Sequence, residues 1–182
     1  MAGADASFEA LLTETAQIAR PDVELDGDGG PKTPTWELTG ESVRVRIAPA
    51  RSGSDDGLLG RTEDVTHVIY ATPADIRVAD RLITRPVTTA LSDDVAAGAT
   101  ELPVSTTAGI RDGQRIEIGD EELTVTAVGT ETIGVTPGAA SDYEQGEAVC
   151  VVVRYEVLGV ADAAGVGHHL RLTATKATTD GR

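Results

Sequence analysis

Turn-forming residues interrupt this chain too often for long helices to form. Between residues 88 and 153 the breaks fall at Gly98, Gly109, Gly113, Gly119-Asp120, Gly129, Pro137-Gly138 and Gly146. Turns at roughly 8–12-residue intervals, joined by runs rich in β-branched residues, are the pattern of a compact β-barrel or sandwich. No helix-period segment exceeds three turns, so the chain reads as all-β.

The rest of the chain repeats the pattern at longer spacing. Ser7 can cap a short opening helix in which Phe8, Leu11 and Leu12 stand at i, i+3 and i+4. A strand is expected over Thr13–Arg20, stopped by Pro21. Residues 22–35, rich in Gly, Asp and Pro, read as a hairpin connection. Two strands follow, Thr35–Leu38 and Ser42–Ala48. In the second, Val43, Val45 and Ile47 alternate with Arg44 and Arg46, the period of a half-buried strand. Val65–Ala71 is a further strand, Pro73–Asp80 a turn around Ile76 and Val78, and Arg81–Ile83 the start of another strand. Past residue 88, strands are expected near Glu101–Ser105, Gln114–Ile118, Glu121–Val128, Glu131–Thr136 and Ala148–Val153. Arg154–Val160 and His168–Lys176 form a closing hairpin, and 177–182 is a polar tail.

Charge narrows the function classes. Acidic residues number 30 against 15 basic, a formal net charge of −15, and 13 of the 15 are Arg. A duplex-binding protein that works by counterion release needs a basic face, which this composition argues against. A carboxylate-dense, lysine-poor composition resembles that of proteins from extreme halophiles, the other reading being an ordinary acidic domain. At molar salt the Debye length falls to about 3 Å and like-charge repulsion is screened. Aromatics are 3% of the chain, so the core must be Val, Leu, Ile and Ala. No stretch approaches the apolar length of a membrane span. The first twenty residues lack the pattern of a secretory signal. The single cysteine, Cys150, excludes an intrachain disulfide and reads as a buried small hydrophobe.

Few residues suggest reaction chemistry. His168-His169 precedes a strand, where adjacent side chains face opposite ways, so the pair cannot share one metal. His67 alternates with Val65 and Ile69 and reads as a half-buried, hydrogen-bonded histidine. Asp22-x-Glu24-x-Asp26-Gly27 begins like a calcium loop, but Thr33 stands where the bidentate Glu belongs. No nucleophile, phosphate-loop or dinucleotide pattern is present. No enzyme activity, metal or cofactor is therefore expected. The segment 51–63 stands out instead. It holds Arg51, Ser52, Gly53, Ser54, Asp55, Asp56, Gly57, Leu58, Leu59, Gly60 and Arg61, a long loop with high backbone freedom and two leucines at its tip. On its own it reads equally as a solvent loop.

Three stretches resemble a family. "TETAQIARPDVELDGDGGPKTPTWELTGESVRVRIAPAR" (Thr13–Arg51) is similar to the first half of the head-closure proteins (stoppers, head–tail connectors) of long-tailed phages. These share an Arg-Pro step, a Gly-rich hairpin, a Trp and a strand closing on Arg46-Ile47-Ala48-Pro49. "THVIYATPADIRVADRLI" (Thr66–Ile83) resembles the family's next hairpin, with its V-x-D-R step at Val78–Arg81. "RYEVLGVADAAGVGHHLRLTATK" (Arg154–Lys176) resembles the closing hairpin. Between the last two, where the family has a short turn, residues 96–149 resemble a small β-module of phage structural proteins.

The resemblance implies a small β-barrel over 1–87 plus 153–182, with a second β-barrel or sandwich, 88–152, inserted at a hairpin. It also implies a ring in the neck of a tailed virus, assembled in the host cytoplasm and, from the composition, haloarchaeal. A dodecamer is expected first and a hexamer second. Its partners would be portal or adaptor proteins above and tail proteins below. DNA would pass or be retained without sequence-specific binding, and Arg51–Arg61 would gate the channel. Phe8, Leu11, Leu12, His168 and His169 would contact neighbouring subunits. An acidic channel wall repels phosphate, but composition alone does not separate that role from adaptation to salt. Other readings are a different neck or tail-completion component, a secreted carbohydrate-binding β-module, or a hydrolase using His168 and His169. Low helix content, scarce aromatics and strand geometry argue against an adaptor, a sugar binder and a hydrolase respectively.

Overall fold

The computed structural model of the chain describes residues 8–22, 34–50, 65–162 and 169–177. The described residues form strands β1 (Glu14–Asp22), β2 (Thr35–Pro49), β3 (His67–Ala71), β4 (Arg81–Thr84), β5 (Val87–Ala90), β6 (Glu101–Pro103), β7 (Arg115–Ile118), β8 (Glu121–Val128), β9 (Thr132–Thr136), β10 (Ala148–Asp162) and β11 (Leu170–Lys176). The fold is all-β. The opening helix is a single turn, in which Leu11 N–H donates to Phe8 O at 2.9 Å and Leu12 N–H to Glu9 O at 3.1 Å. Ser7, its expected cap, lies outside the described residues. Two compact units emerge, Met1–Thr84 with Arg154–Arg182, and Arg85–Val153. The expected boundaries, 87/88 and 152/153, differ from these by one to three residues.

In the first unit β1 lies between β2 and β4, β2 pairs with β3, β3 with β11, and β11 with β10, all antiparallel. Because β10 is also a hydrogen-bonded neighbour of β4, the circuit β4-β1-β2-β3-β11-β10 closes on itself. A closed circuit leaves no edge to pair with a foreign strand. The core is the one the alternation predicts. Val43 and Val45 are buried, as are Ala16, Ile18, Ile69, Ala71, Leu82, Val157 and Leu172, all under 5% exposed. Each buried aliphatic side chain contributes about 1.5–3 kcal/mol relative to exposure.

Two expectations for this unit are corrected. Pro21 does not stop β1, because the strand runs on to Asp22 with Pro21 opposite Trp36. The β4 ladder ends at Ala19, so beyond it β1 is paired on one side only, and a missing N–H can be accommodated there. The expected pair of strands, Thr35–Leu38 and Ser42–Ala48, is one strand with a bulge. Register jumps from Gln17↔Ser42 to Ala19↔Leu38, which leaves extra residues on β2. Gly40 at φ +82° makes the bend, and Thr39 Oγ1 donates to Ile18 O at 3.1 Å.

The second unit pairs β5 with β10, β10 with β7, β7 with β8, β8 with β9 and β9 with β6. A bridge between Leu91 and Val104 joins the ends of β5 and β6, so this ladder also closes. Its core holds Leu102, Ile116, Ile118, Leu123, Ile133 and Val149, each fully buried. Strand β5 had no counterpart in the sequence reading, since four residues between Pro86 and Leu91 give too short a period to detect. Ala148–Val153 and Arg154–Val160 are not separate strands but one, β10, because no turn residue interrupts the run from Val149 to Leu158.

Candidate functional site

The described chain fixes both ends of the 51–64 segment. Residues 51–64 themselves, and with them the candidate gate Arg51–Arg61, lie outside the described residues. Their two feet stand on the paired strands β2 and β3, where Pro49 faces His67. Ala50 N–H donates to Thr66 O at 2.9 Å, and Thr66 N–H to Ala174 O at 3.1 Å. Thr66 Oγ1 lies 2.8 Å from His67 Nδ1 and accepts from Lys176 N–H at 2.9 Å. The His67 ring meets the Tyr155 ring edge-on at 5.0 Å. Burial, and then the Lys176 charge, hold its pKa below the ordinary histidine value. His67 is therefore the half-buried, hydrogen-bonded histidine that its alternation predicts.

A second arrangement is built on the connection between β3 and β4, which is not the hairpin expected over Thr66–Ile83, because β3 pairs with β2 and β11 whereas β4 pairs with β1 and β10. Asp80 N–H donates to Arg77 O at 3.1 Å across Val78 and Ala79, and Ala79 has φ +73°. Positive φ at the third position defines a type II turn, where glycine is the usual occupant. Ala79 N–H donates to Val157 O and Val157 N–H to Asp80 O, so the turn runs directly into a bulge against β10.

The Asp80 side chain is 1% exposed and accepts a fork from Arg20, Nε to Oδ1 and Nη2 to Oδ2, both at 3.1 Å. Arg77 N–H adds a bond to Oδ2 at 2.9 Å. Planar bidentate pairing of this kind fixes geometry as well as charge. Arg20 also donates to Asp75 O at 2.8 Å. Asp75 in turn takes a 2.6 Å bond from Arg77 Nη2. That bond holds the Asp75 carboxyl below the usual range, and the Asp80 bond raises the Arg20 pKa.

Arg81 is 5% exposed, and its guanidinium lies 3.3 Å from the centre of the Trp36 ring. A cation over an aromatic face is one way to keep a charge under cover. Trp36 Nε1 reaches Ala79 O at 3.5 Å. This cluster joins Arg20-Pro21, Trp36 and Val78–Arg81, which are three of the features that carry the family resemblance. Nothing in the sequence pattern assigns them a common role. A signal was available, since Arg20 and Asp80-Arg81 are the charges set directly against the apolar runs of β1 and β4.

The expected subunit contacts divide. The Phe8 ring stacks on His169 of the same chain at 4.1 Å and 26°, with Tyr70 at 6.3 Å from His169. Leu11 is 49% exposed, but Leu12 is 1% exposed and belongs to its own core. Leu12 is thus corrected as a contact residue, because a buried side chain offers a neighbour no surface. His168 lies outside the described residues, as do 23–33 of the calcium-like stretch.

Cys150 is corrected too. It is half-buried rather than buried, since Val149 and Val151 point inward and Cys150 faces outward across from Glu117. Burial, and then Glu117, raise its thiol pKa. Tyr143 donates to Glu121 Oε2 at 2.6 Å, and burial followed by this bond pushes its pKa up to about 12. Among the described residues no three His, Cys, Asp or Glu side chains converge to hold a metal ion. Compared with known proteins, the chain matches no family model and no curated protein.

Proposed function

We propose that this chain is a structural neck protein of a tailed virus, a ring-forming head-closure component that joins portal and tail and retains packaged DNA. One observation carries the reading. The three stretches that resemble head-closure proteins are far apart in sequence, yet they pair with one another in a single unit. Thr66–Ile83 joins Arg154–Lys176 through β3 and β11, and joins Thr13–Arg51 through β2 and β1. The residues between them, 85–153, form a unit with a core of their own. That is the organisation of a host scaffold carrying a guest module, and hairpin tips tolerate such insertions.

The test is the mass of the full chain in molar KCl, by size exclusion with light scattering and by electron microscopy. A closed ring of six or twelve copies is expected. A strict monomer at all concentrations, with binding to zinc or glycans, overturns the reading.

A further inference from the structure

One face of the first unit departs from the acidity of the chain. Arg46 on β2, Tyr70 on β3 and Arg171 on β11 stand directly opposite one another, Arg46↔Tyr70 and Tyr70↔Arg171. The buried residues between them, Val45, Ile69, Ala71 and Leu172, point the other way. The row therefore lies on the outside of the sheet. Arg44 lies two residues before Arg46 on the same side and is exposed like it. Strands about 4.8 Å apart, and a rise of about 3.4 Å per residue, place all three arginines within a patch roughly 10 Å across. Along Thr15–Gln17, Ser42–Pro49, β3 and Leu170–Thr175, no described outward side chain is a carboxylate. The chain as a whole carries two acidic residues for every basic one.

The two β2 arginines are available to a partner. Arg44 gives one bond, from Nη2 to Leu12 O at 2.7 Å, which anchors its base and leaves its other donors. Arg46 forms no ion pair with another described side chain. Arg171 holds an interaction of its own within the chain, and nothing here depends on it. Two guanidinium forks beside a half-buried tyrosine suit planar, bidentate carboxylates.

We infer that this face docks the carboxylate-rich surface of a second copy of the chain. The inference rests on the ring proposed above and names the contact that builds it. Charge complementarity selects the occupant, because an excess of fifteen carboxylates makes each copy an anionic partner for this face. A duplex is the other polyanion that such a face attracts, and the test below carries it as a separate outcome. In a ring the contact is head-to-tail, an arginine face on a different, acidic face, which closes when the rotation does.

The test compares the full chain with Arg44→Glu/Arg46→Glu in molar KCl, with association read by analytical ultracentrifugation and folding by circular dichroism. The double variant is expected to stay folded and to associate about tenfold or more weakly, the loss typical of a removed partner in a desolvated pair. Arg46→Glu alone, at a side chain outside every described ion pair, repeats the test if the double variant fails to fold. If both variants assemble like the native chain, the face is not the contact while the ring reading stands. A native chain that never assembles removes both. Unchanged assembly together with loss of binding to a labelled DNA duplex overturns the carboxylate partner in favour of phosphate.

Discussion

Ala79 is the one described non-glycine residue at positive φ, and replacing it by glycine should stabilise the first unit. Its φ of +73° lies in the left-handed region, where a Cβ costs about 1–2 kcal/mol. Ala79 is exposed, so glycine forfeits no packing there. Against the relief stands the greater freedom of glycine in the unfolded chain, about 0.4–1 kcal/mol. The net gain for Ala79→Gly is about 0.5–1 kcal/mol.

Gly40 supplies the mirror experiment. Its φ is +82° and a Cβ there would meet nothing within 4 Å. Gly40→Ala therefore isolates backbone strain and should cost about the same amount. For a unit of this size the two midpoints should fall roughly 2–5 °C on opposite sides of the native chain. The assay is urea and thermal unfolding in molar KCl followed by tryptophan fluorescence. Trp36 is the sole tryptophan and lies in the first unit, so the signal reports that unit alone. If Ala79→Gly melts below the native chain while Gly40→Ala is neutral, the strain argument is wrong.

Further tests address other sites. Thr173 is 2% exposed and its Oγ1 has no hydrogen-bond partner among the described residues. Thr173→Val should therefore raise stability by about 1 kcal/mol in the same fluorescence assay, and a drop would show that the hydroxyl is satisfied in solution. A Cβ at Gly138 would lie 2.8 Å from the backbone oxygen of Gly98. Gly138→Ala should then cost the second unit about 1–3 kcal/mol, seen as faster hydrogen exchange across 85–153. Spectrophotometric titration should find a tyrosine ionising near 12 that is lost in Tyr143→Phe. Because the folded pKa is raised above 10, stability from Tyr143 is complete below pH 10 and disappears as pH rises towards about 12. That alkaline loss should be smaller in the Phe variant. The raised Cys150 thiol should react with a disulfide reagent at pH 8.5 more slowly in the native chain than in urea.

Local pattern made part of the arrangement legible. Alternation placed Val43 and Val45 inside with Arg44 and Arg46 outside, because a strand turns successive side chains to opposite faces whatever surrounds it. It also placed His67 half-buried. It failed where neighbours decide. Pro21 reads as a stop, yet it continues β1 because the strand is paired on one side only at that point. Thr35–Leu38 and Ser42–Ala48 read as two strands, yet they are one, bent at Gly40. Cys150 sits in an apolar run, yet it faces outward, since which residues of β10 are covered depends on what packs against them.

Turn spacing and side-chain period, which act over a few residues, determined from sequence alone that this chain is all-β and which faces of its strands are apolar. Only the tertiary structure decided that Arg20, Trp36, Asp75 and Asp80-Arg81 converge on one strained turn, and that arginines from β2 and β11 flank one tyrosine. Those arrangements depend on register between strands distant in sequence. Register is set by how all the apolar faces fit together at once, which no single segment encodes.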